Sequence, residues 1–519
     1  MSKRRPGPLL PLLLILALLL QPAVSANGAA LQSAAGLPGV LLLYDSLAAG
    51  TPREGNVTEL EHQLAAYHVQ VTVGSLDHYE QGAMAEFTNV ITVINAPELA
   101  VSQAFEADAA RYQGQYLHIG YNPPDRLQQA LQLSAGLVEE GSAGLSTGDF
   151  RVQGLKLQQV PYVAASTAEK SYGSLVLPGT GRKVPYAVSS GSFTYAPYLE
   201  AGNASTLAMA YVLKDWLRAD DPGKPYLVIK EIYPFSDLTL LEELAGRLYD
   251  AGIPFIASVR PVFSNTDFPA MQRYLEALKV VQSKNGSILI NAPVVMPSIN
   301  SNDHTLGDKM SGFINLLAEN GIAPLGMGAD LYWTYDKEYS SAGMKFFDSV
   351  VLFPDENVIH MEKTNVSAAF PSSLYSMTPE FLAGLTHEGK AMPKLPLNTA
   401  VTMDLPEDEA GLATLLQTVE GYWITFADYK QAAHKTATDS STITSADGVL
   451  RVDGEALNVD YVPEAVSGDF QYKEEQYQSF KGLFSVQNQF FIVVIFVALL
   501  FFGGLLTVGY RLYRRKYLK

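Results

Sequence analysis

Tyr226-Leu-Val-Ile-Lys-Glu-Ile-Tyr-Pro234 opens a repeating pattern that sets the architecture of this chain. Its first four residues form a short apolar run bounded by charge, as expected of a buried strand. A helical stretch from Leu238 to Ala251 follows, then a second strand, Phe255-Ile-Ala-Ser-Val259. Another helix over Ala270 to Ser283 leads to Ser287-Ile-Leu-Ile290, which ends in Asn291-Ala-Pro-Val-Val295. Leu306 to Asn320 is again helical, ahead of Ile322-Ala-Pro-Leu-Gly326 and an aromatic-acidic loop from Asp330 to Tyr339. Strand–helix units repeated in this way predict a parallel sheet closed, or nearly closed, into a barrel. The loops after its strands should carry the site.

Upstream, strand and helix signals alternate from Val40. Val40 to Tyr44, Val69 to Val73, Val90 to Ile94 and Tyr116 to Ile119 read as strands, with a helix from Asn56 to His68. This predicts a small doubly wound parallel sheet, a Rossmann or flavodoxin-like α/β domain over 37–148. Ligands of such sheets sit beyond the carboxyl ends of the strands, which places Asp45 and Asn95 near one. No Gly-rich phosphate loop follows the first strand, so nucleotide binding has no support. Short alternating runs among Gly, Ser and Pro, such as Val184 to Val188 and Ser192 to Tyr195, predict a β-rich insert over 149–205. The barrel is expected over 206–400 and a C-terminal extension of the same body over 401–487.

Both ends of the chain speak of a membrane. Lys3, Arg4 and Arg5 precede the apolar stretch Leu9 to Leu20, and Ala23-Val-Ser-Ala26 offers small residues for cleavage, the three parts of a secretory signal peptide over 1–26. Phe490 to Val508 is an unbroken apolar run, long enough as a helix to span roughly 30 Å of hydrocarbon. A transmembrane helix is therefore expected over 488–510, in contact with lipid through Phe490 to Val508. The basic tail 511–519, with Arg511, Arg514, Arg515, Lys516 and Lys519, belongs on the cytoplasmic side. The body then hangs outside the membrane on one pass.

Composition narrows the partners. The formal charge is −17, and setting aside three basic residues in the leader and five in the tail leaves the body at −25. A surface that acidic repels nucleic acid and anionic lipid. There is no cysteine, which excludes disulfides, thiolate catalysis and thiolate-bound metal. A large exported chain without disulfides points to a bacterial cell membrane.

The stretches Lys230-Glu-Ile-Tyr-Pro234, Gly252-Ile-Pro-Phe-Ile256, Val259-Arg-Pro-Val-Phe263 and Ile288-Leu-Ile-Asn-Ala-Pro293 resemble an uncharacterised, membrane-anchored branch of the polysaccharide deacetylase-like superfamily. They fall in that family's order and spacing, and the α/β unit and basic-tailed anchor are similar too. The resemblance implies a deacetylase-like (β/α) barrel acting on cell-envelope or exopolysaccharide glycans. Active members hold a divalent metal with an acid after the first barrel strand and two histidines after a later one. The acid position falls on Glu231, whereas the histidine positions fall on Asn291 and Val295. An amide and an isopropyl group cannot complete a zinc site. No metal and no cofactor is expected, and the eight histidines are scattered, with His304 the nearest.

Three further patterns bear on chemistry. Gly144-Leu-Ser-Thr-Gly148 has the letters of a serine-hydrolase elbow, but a helical run (Leu127 to Glu140) precedes it and a strand-like run follows, the reverse of the required context. A linker is expected there. The acids Asp404, Glu407, Asp408 and Glu409 lack calcium-loop spacing and suit a solvated face or a helix N-terminus. Asp330-Leu-Tyr-Trp-Thr-Tyr-Asp336 joins carboxylates to aromatic faces, a combination that suits a sugar ring.

The sequence therefore predicts a glycan-binding, non-catalytic or nearly inactive deacetylase-like protein. Asn291, Tyr332, Trp333, Tyr335 and Asp336 are its candidate ligand contacts. The alternatives are a metal-independent hydrolase pairing Glu231 with Asp330, Asp237 or Asp267 as acid and base, and an envelope scaffold or sensor that binds an assembly partner.

Overall fold

A computed structural model describes residues 39–98, 101–293, 305–354, 364–387, 394–462 and 481–517. The leader, Val295, His304 and His360 lie outside the described residues. The chain divides into two units, Met1–Val466 and Ser467–Lys519.

The first sheet starts from β1 (Gly39–Tyr44), followed by α1 (Asn56–Ala66), β2 (Gln70–Ser75), β3 (Asn89–Ile94), α2 (Gln103–Arg111), β4 (Gln115–Gly120) and α3 (Asp125–Leu131). Strands β2, β1, β3 and β4 lie side by side in that order, all parallel. The near-continuous apolar runs follow from burial on both faces. Val40, Leu42 and Tyr44 enter one core with Val57, Leu60 and Leu64 of α1, while Leu41 and Leu43 enter another with Phe105 and Leu127.

The helical run expected to reach Glu140 stops at Leu131. It gives way to a long hairpin, β5 (Ser134–Thr147) and β6 (Phe150–Ala165). Gly144 to Thr147 thus belong to a strand and Gly148 to its turn, not to a linker. Beyond lie β7 (Lys170–Tyr172), β8 (Ser174–Val176), β9 (Lys183–Val184), β10 (Ala187–Ser190) and β11 (Phe193–Ala196). They split between two sheets: β11, β10 and β7 extend the first beyond β4, while β8 and β9 join the hairpin. Helix α4 (Ala204–Trp216) leads to the barrel.

The barrel is closed and parallel. Its elements begin with β12 (Pro225–Ile232), α5 (Leu238–Asp250), β13 (Phe255–Val259), α6 (Pro269–Ser283), β14 (Gly286–Asn291) and α7 (Thr305–Glu319). They continue through β15 (Pro324–Asp330), the short α8 (Tyr332–Tyr335), β16 (Ser349–Phe353), β17 (Ser372–Met377), α9 (Pro379–Gly384), β18 (Thr386–His387), β19 (Thr399–Asp404) and α10 (Glu409–Glu420). The ring order is β12-β13-β14-β15-β16-β17-β19, with β19 pairing back onto β12. Strand β18 leaves the ring and pairs with β6 through Thr386 and His387. A four-stranded meander, β20 (His434–Ala437) to β23 (Glu455–Ala456), completes the body.

The first sheet and the barrel share backbone. The segment Asn365 to Ser367, ahead of β17, runs antiparallel along the outer edge of β2. Val73 N donates to Asn365 O at 2.8 Å, Ser367 N donates to Val71 O at 2.9 Å, and Val71 N donates to Ser367 Oγ at 3.0 Å. An edge that would invite foreign strands is covered.

In the second unit, α11 (Lys481–Tyr517) includes a stretch, Val494–Lys516, long and apolar enough to cross a membrane. The side chains described there are exposed.

Candidate functional site

One end of the barrel opens into a cavity of about 910 Å³, within the range of small-molecule sites. Every strand of the ring contributes a residue at or just past its carboxyl end. These are Glu231 from β12, Arg260 from β13, Asn291 from β14, Asp330 from β15, Phe353 from β16, Thr378 from β17 and Asp404 from β19. Parallel strands all end at the same mouth, so residues far apart in sequence converge there. One face of α10, with Thr414, Leu415 and Thr418, closes a side. Asp408 caps this helix, accepting a hydrogen bond from Gly411 N at 2.7 Å, so part of the acidic run serves as a helix N-terminus.

Glu231 sits at a β-bulge. Ile229 pairs with Ala257, yet Ile232 pairs with Val259, leaving one extra residue on β12. Glu231 takes up the irregularity with φ of 60°, a left-handed conformation that costs a non-glycine residue on the order of 1–3 kcal/mol. A bulge re-aims side chains; here both Lys230 and Glu231 reach the cavity. Lys230 bonds Asp404, its cross-strand partner, at 2.7 Å. Glu231 accepts from Arg260 Nη2 at 2.8 Å through Oε1 and from the Tyr233 hydroxyl through Oε2. Arg260 Nη1 donates to Ala292 O at 2.6 Å. The carboxylate beside Tyr233 raises that phenol above its ordinary range, and partial burial adds to the shift.

Of the predicted site residues, Glu231, Asn291, Asp330, Tyr332 and Trp333 meet at this cavity. Tyr335 and Asp336 do not line it. Tyr335 packs half-buried against the barrel core. Asp336 Oδ1 accepts from the backbone of Glu338 and Tyr339, both at 2.9 Å, and caps the next turn. Trp333 is only 1% exposed. Its ring stacks on Tyr339 with centroids 4.7 Å apart, and Gly343 lies so close that an added Cβ would meet Trp333 at 2.5 Å. The aromatics of this loop chiefly pack against the barrel wall. Asp237 caps α5, accepting from Leu240 N at 3.1 Å, and neither it nor Asp267 lines the cavity.

Asp45 and Asn95 form a satisfied cluster at the ends of the first sheet instead of an open site. Asp45 accepts from the backbone of Ser46, Asn95 and Ala96 at 2.7 to 2.9 Å, and Asn95 exchanges amide hydrogen bonds with Asn56.

The described residues of the cavity do not fit a zinc site. Both oxygens of Glu231 have partners in Arg260 and Tyr233, so a metal would have to break those bonds beside a fixed guanidinium. Asn291 offers a neutral amide. Among the described residues no three His, Asp or Glu side chains gather as a metal site would require. His62, His118 and His434 bond backbone carbonyls, and none of the three lines the cavity.

Sequence reasoning missed Arg260, Lys230, Glu380 and Asp404 as cavity residues. Arg260 could have been found, since it is the first residue after a strand already assigned. Lys230 depends on the bulge and Asp404 on which strand closes the ring, while Glu380 enters from α9 after β17.

The chain matches no family model and no curated protein. Among solved structures it is similar to that of Agd3, described as a novel carbohydrate deacetylase, with 9% sequence identity and a TM-score of 0.31. The match covers 80% of this chain and 93% of that one. A likeness of that size carries no argument about this chain's fold or activity.

Proposed function

We propose that this protein is a membrane-anchored, extracytoplasmic glycan-binding protein with a deacetylase-like barrel. Its barrel mouth takes cell-envelope or exopolysaccharide chains without processing them. The observation that carries the reading is the Glu231–Arg260 pair, held in a left-handed bulge on the wall of the cavity. Strained backbone clusters at ligand clamps and active sites. The remaining lining suits a sugar. Carboxylates, an amide and threonine hydroxyls can read ring hydroxyls, while Phe353, Met403 and Leu415 offer apolar contact to ring faces. The sequence resemblance over 230–293 points to the same ligand class. The same reading takes the parallel strands β1 to β4 as a doubly wound flavodoxin-like unit, the ring from β12 to β19 as the deacetylase-like barrel and 1–26 as a cleaved leader.

Hydrolysis by paired carboxylates is the second reading, favoured by one observation: Glu231, Asp330, Glu380 and Asp404 line a single cavity. Acetate or new reducing ends released from N-acetylated oligosaccharides would establish it.

The test of binding is calorimetry on the detergent-solubilised full chain with β-1,4-linked N-acetylglucosamine oligomers. Asp330→Asn and Glu231→Gln should each weaken binding about tenfold or more, as expected for losing a hydrogen bond to a charged group. No measurable binding, or binding indifferent to both substitutions, would end the proposal.

A further inference from the structure

Phe235 follows the bulged strand by three residues and is 82% exposed. No other phenylalanine or tryptophan of the described body is exposed. Isolated exposed apolar residues are ordinary, but this ring is held in place. It stacks on Tyr233 with centroids 4.7 Å apart and planes at 20°, so one face is covered and the other is open to solvent. Tyr233 is itself fixed on three sides. Its hydroxyl donates to Glu231, its backbone N donates to Ser236 Oγ at 3.0 Å, and the Arg260 guanidinium lies 5.7 Å from its ring centroid. Glu231 and Arg260 are cavity-wall residues, so the stacked pair is anchored to the cavity through shared partners.

From this geometry we infer that Phe235, backed by Tyr233, is a stacking platform at the rim for a pyranose ring of the glycan bound in the barrel mouth. The inference rests on the glycan-binding reading and adds a second subsite to it. One aromatic face amid polar Ser236, Asp237 and Thr239 has the footprint of a single sugar ring. A contiguous apolar patch of several hundred Å² would mark a protein-docking surface. A ring whose own χ angles are restrained by a stacked neighbour loses little freedom on binding.

The experiment compares wild type with Phe235→Ala across N-acetylglucosamine oligomers of increasing length. Affinity for wild type should step up once an oligomer is long enough to leave the cavity and cover Phe235. In Phe235→Ala that step should vanish, a loss of about three- to tenfold for one aromatic stacking contact. Binding of the shortest oligomer and the thermal midpoint should stay unchanged, and Phe235→Trp should keep the step. If oligomers bind but Phe235→Ala leaves the length dependence intact, the platform is refuted while the barrel site stands. A fall of several degrees in the midpoint would make Phe235 a packing residue and refute it as well. If no oligomer binds wild type, the proposed function fails and the platform falls with it.

Discussion

Trp333 and Phe235 show how poorly residue type alone predicts exposure. Both follow barrel strands, Trp333 in the short α8 and Phe235 in a loop, yet Trp333 is packed under Tyr339 and Phe235 is open. Trp333→Ala should therefore cost about 3–5 kcal/mol, the usual penalty for emptying a buried aromatic site. Chemical denaturation of the body would show it as a lowered midpoint. A variant with unchanged midpoint and weakened glycan retention would instead return Trp333 to the binding surface. Glu231 was reached through the resemblance, whose acid position after the first barrel strand falls on it. Its restraint was not, since Arg260 is 29 residues away and the left-handed backbone has no signature in the letters Lys-Glu-Ile.

Between elements, the contact of α1 with β17 joins the first sheet to the barrel. Glu59 accepts from Tyr375 Oη at 2.8 Å and from Gln63 Nε2 at 2.9 Å. Burial pushes its carboxyl up to about 7 from an ordinary 4.5, against the opposing pull of those two bonds. The folded protein thus holds a proton there that the unfolded chain releases above about 4.5. Glu59's contribution to stability is greatest below that value and falls as pH rises through about 7. Thermal midpoints of wild type and Glu59→Gln should consequently diverge in the variant's favour between pH 5 and pH 8. An equal difference at both pH values would show that Glu59 is not the titrating group. Strands β1, β3 and β4 could be read directly, because parallel strands covered on both faces are apolar throughout. The β5–β6 hairpin could not. Leu127, Leu131 and Val138 keep helical spacing in the sequence, and only pairing with residues up to Ala165 turns Ser134 onward into a strand.

For the molecule as a whole, the proposed orientation, with the body outside the membrane, rests on the basic residues that follow the apolar span in sequence. Protease added to intact protoplasts should digest the body and leave a small C-terminal fragment. Full protection of the body would reverse the orientation. Barrel closure was anticipated from the repeated units, while the identity of the closing strand was not. The quoted motifs that carry the resemblance lie within residues 230–293, but β19 completes the ring from Thr399, and the pairing of Lys230 with Asp404 exists only once it has.

The strip Asn365 to Ser367 on β2 also sets an order of events. Val71 and Ser367 are separated by 296 residues. A chain delivered N-terminus first, whether from a ribosome or through a translocation channel, presents β2 long before its cover has been made. Throughout that interval the edge carries unpaired N–H and C=O groups, the condition under which strands pair with the wrong neighbour. The first sheet can gather its own core early, but its outer edge must wait for most of the barrel to arrive. The early half of this protein is therefore its vulnerable half during synthesis, and the late half acts as the cover that makes it safe.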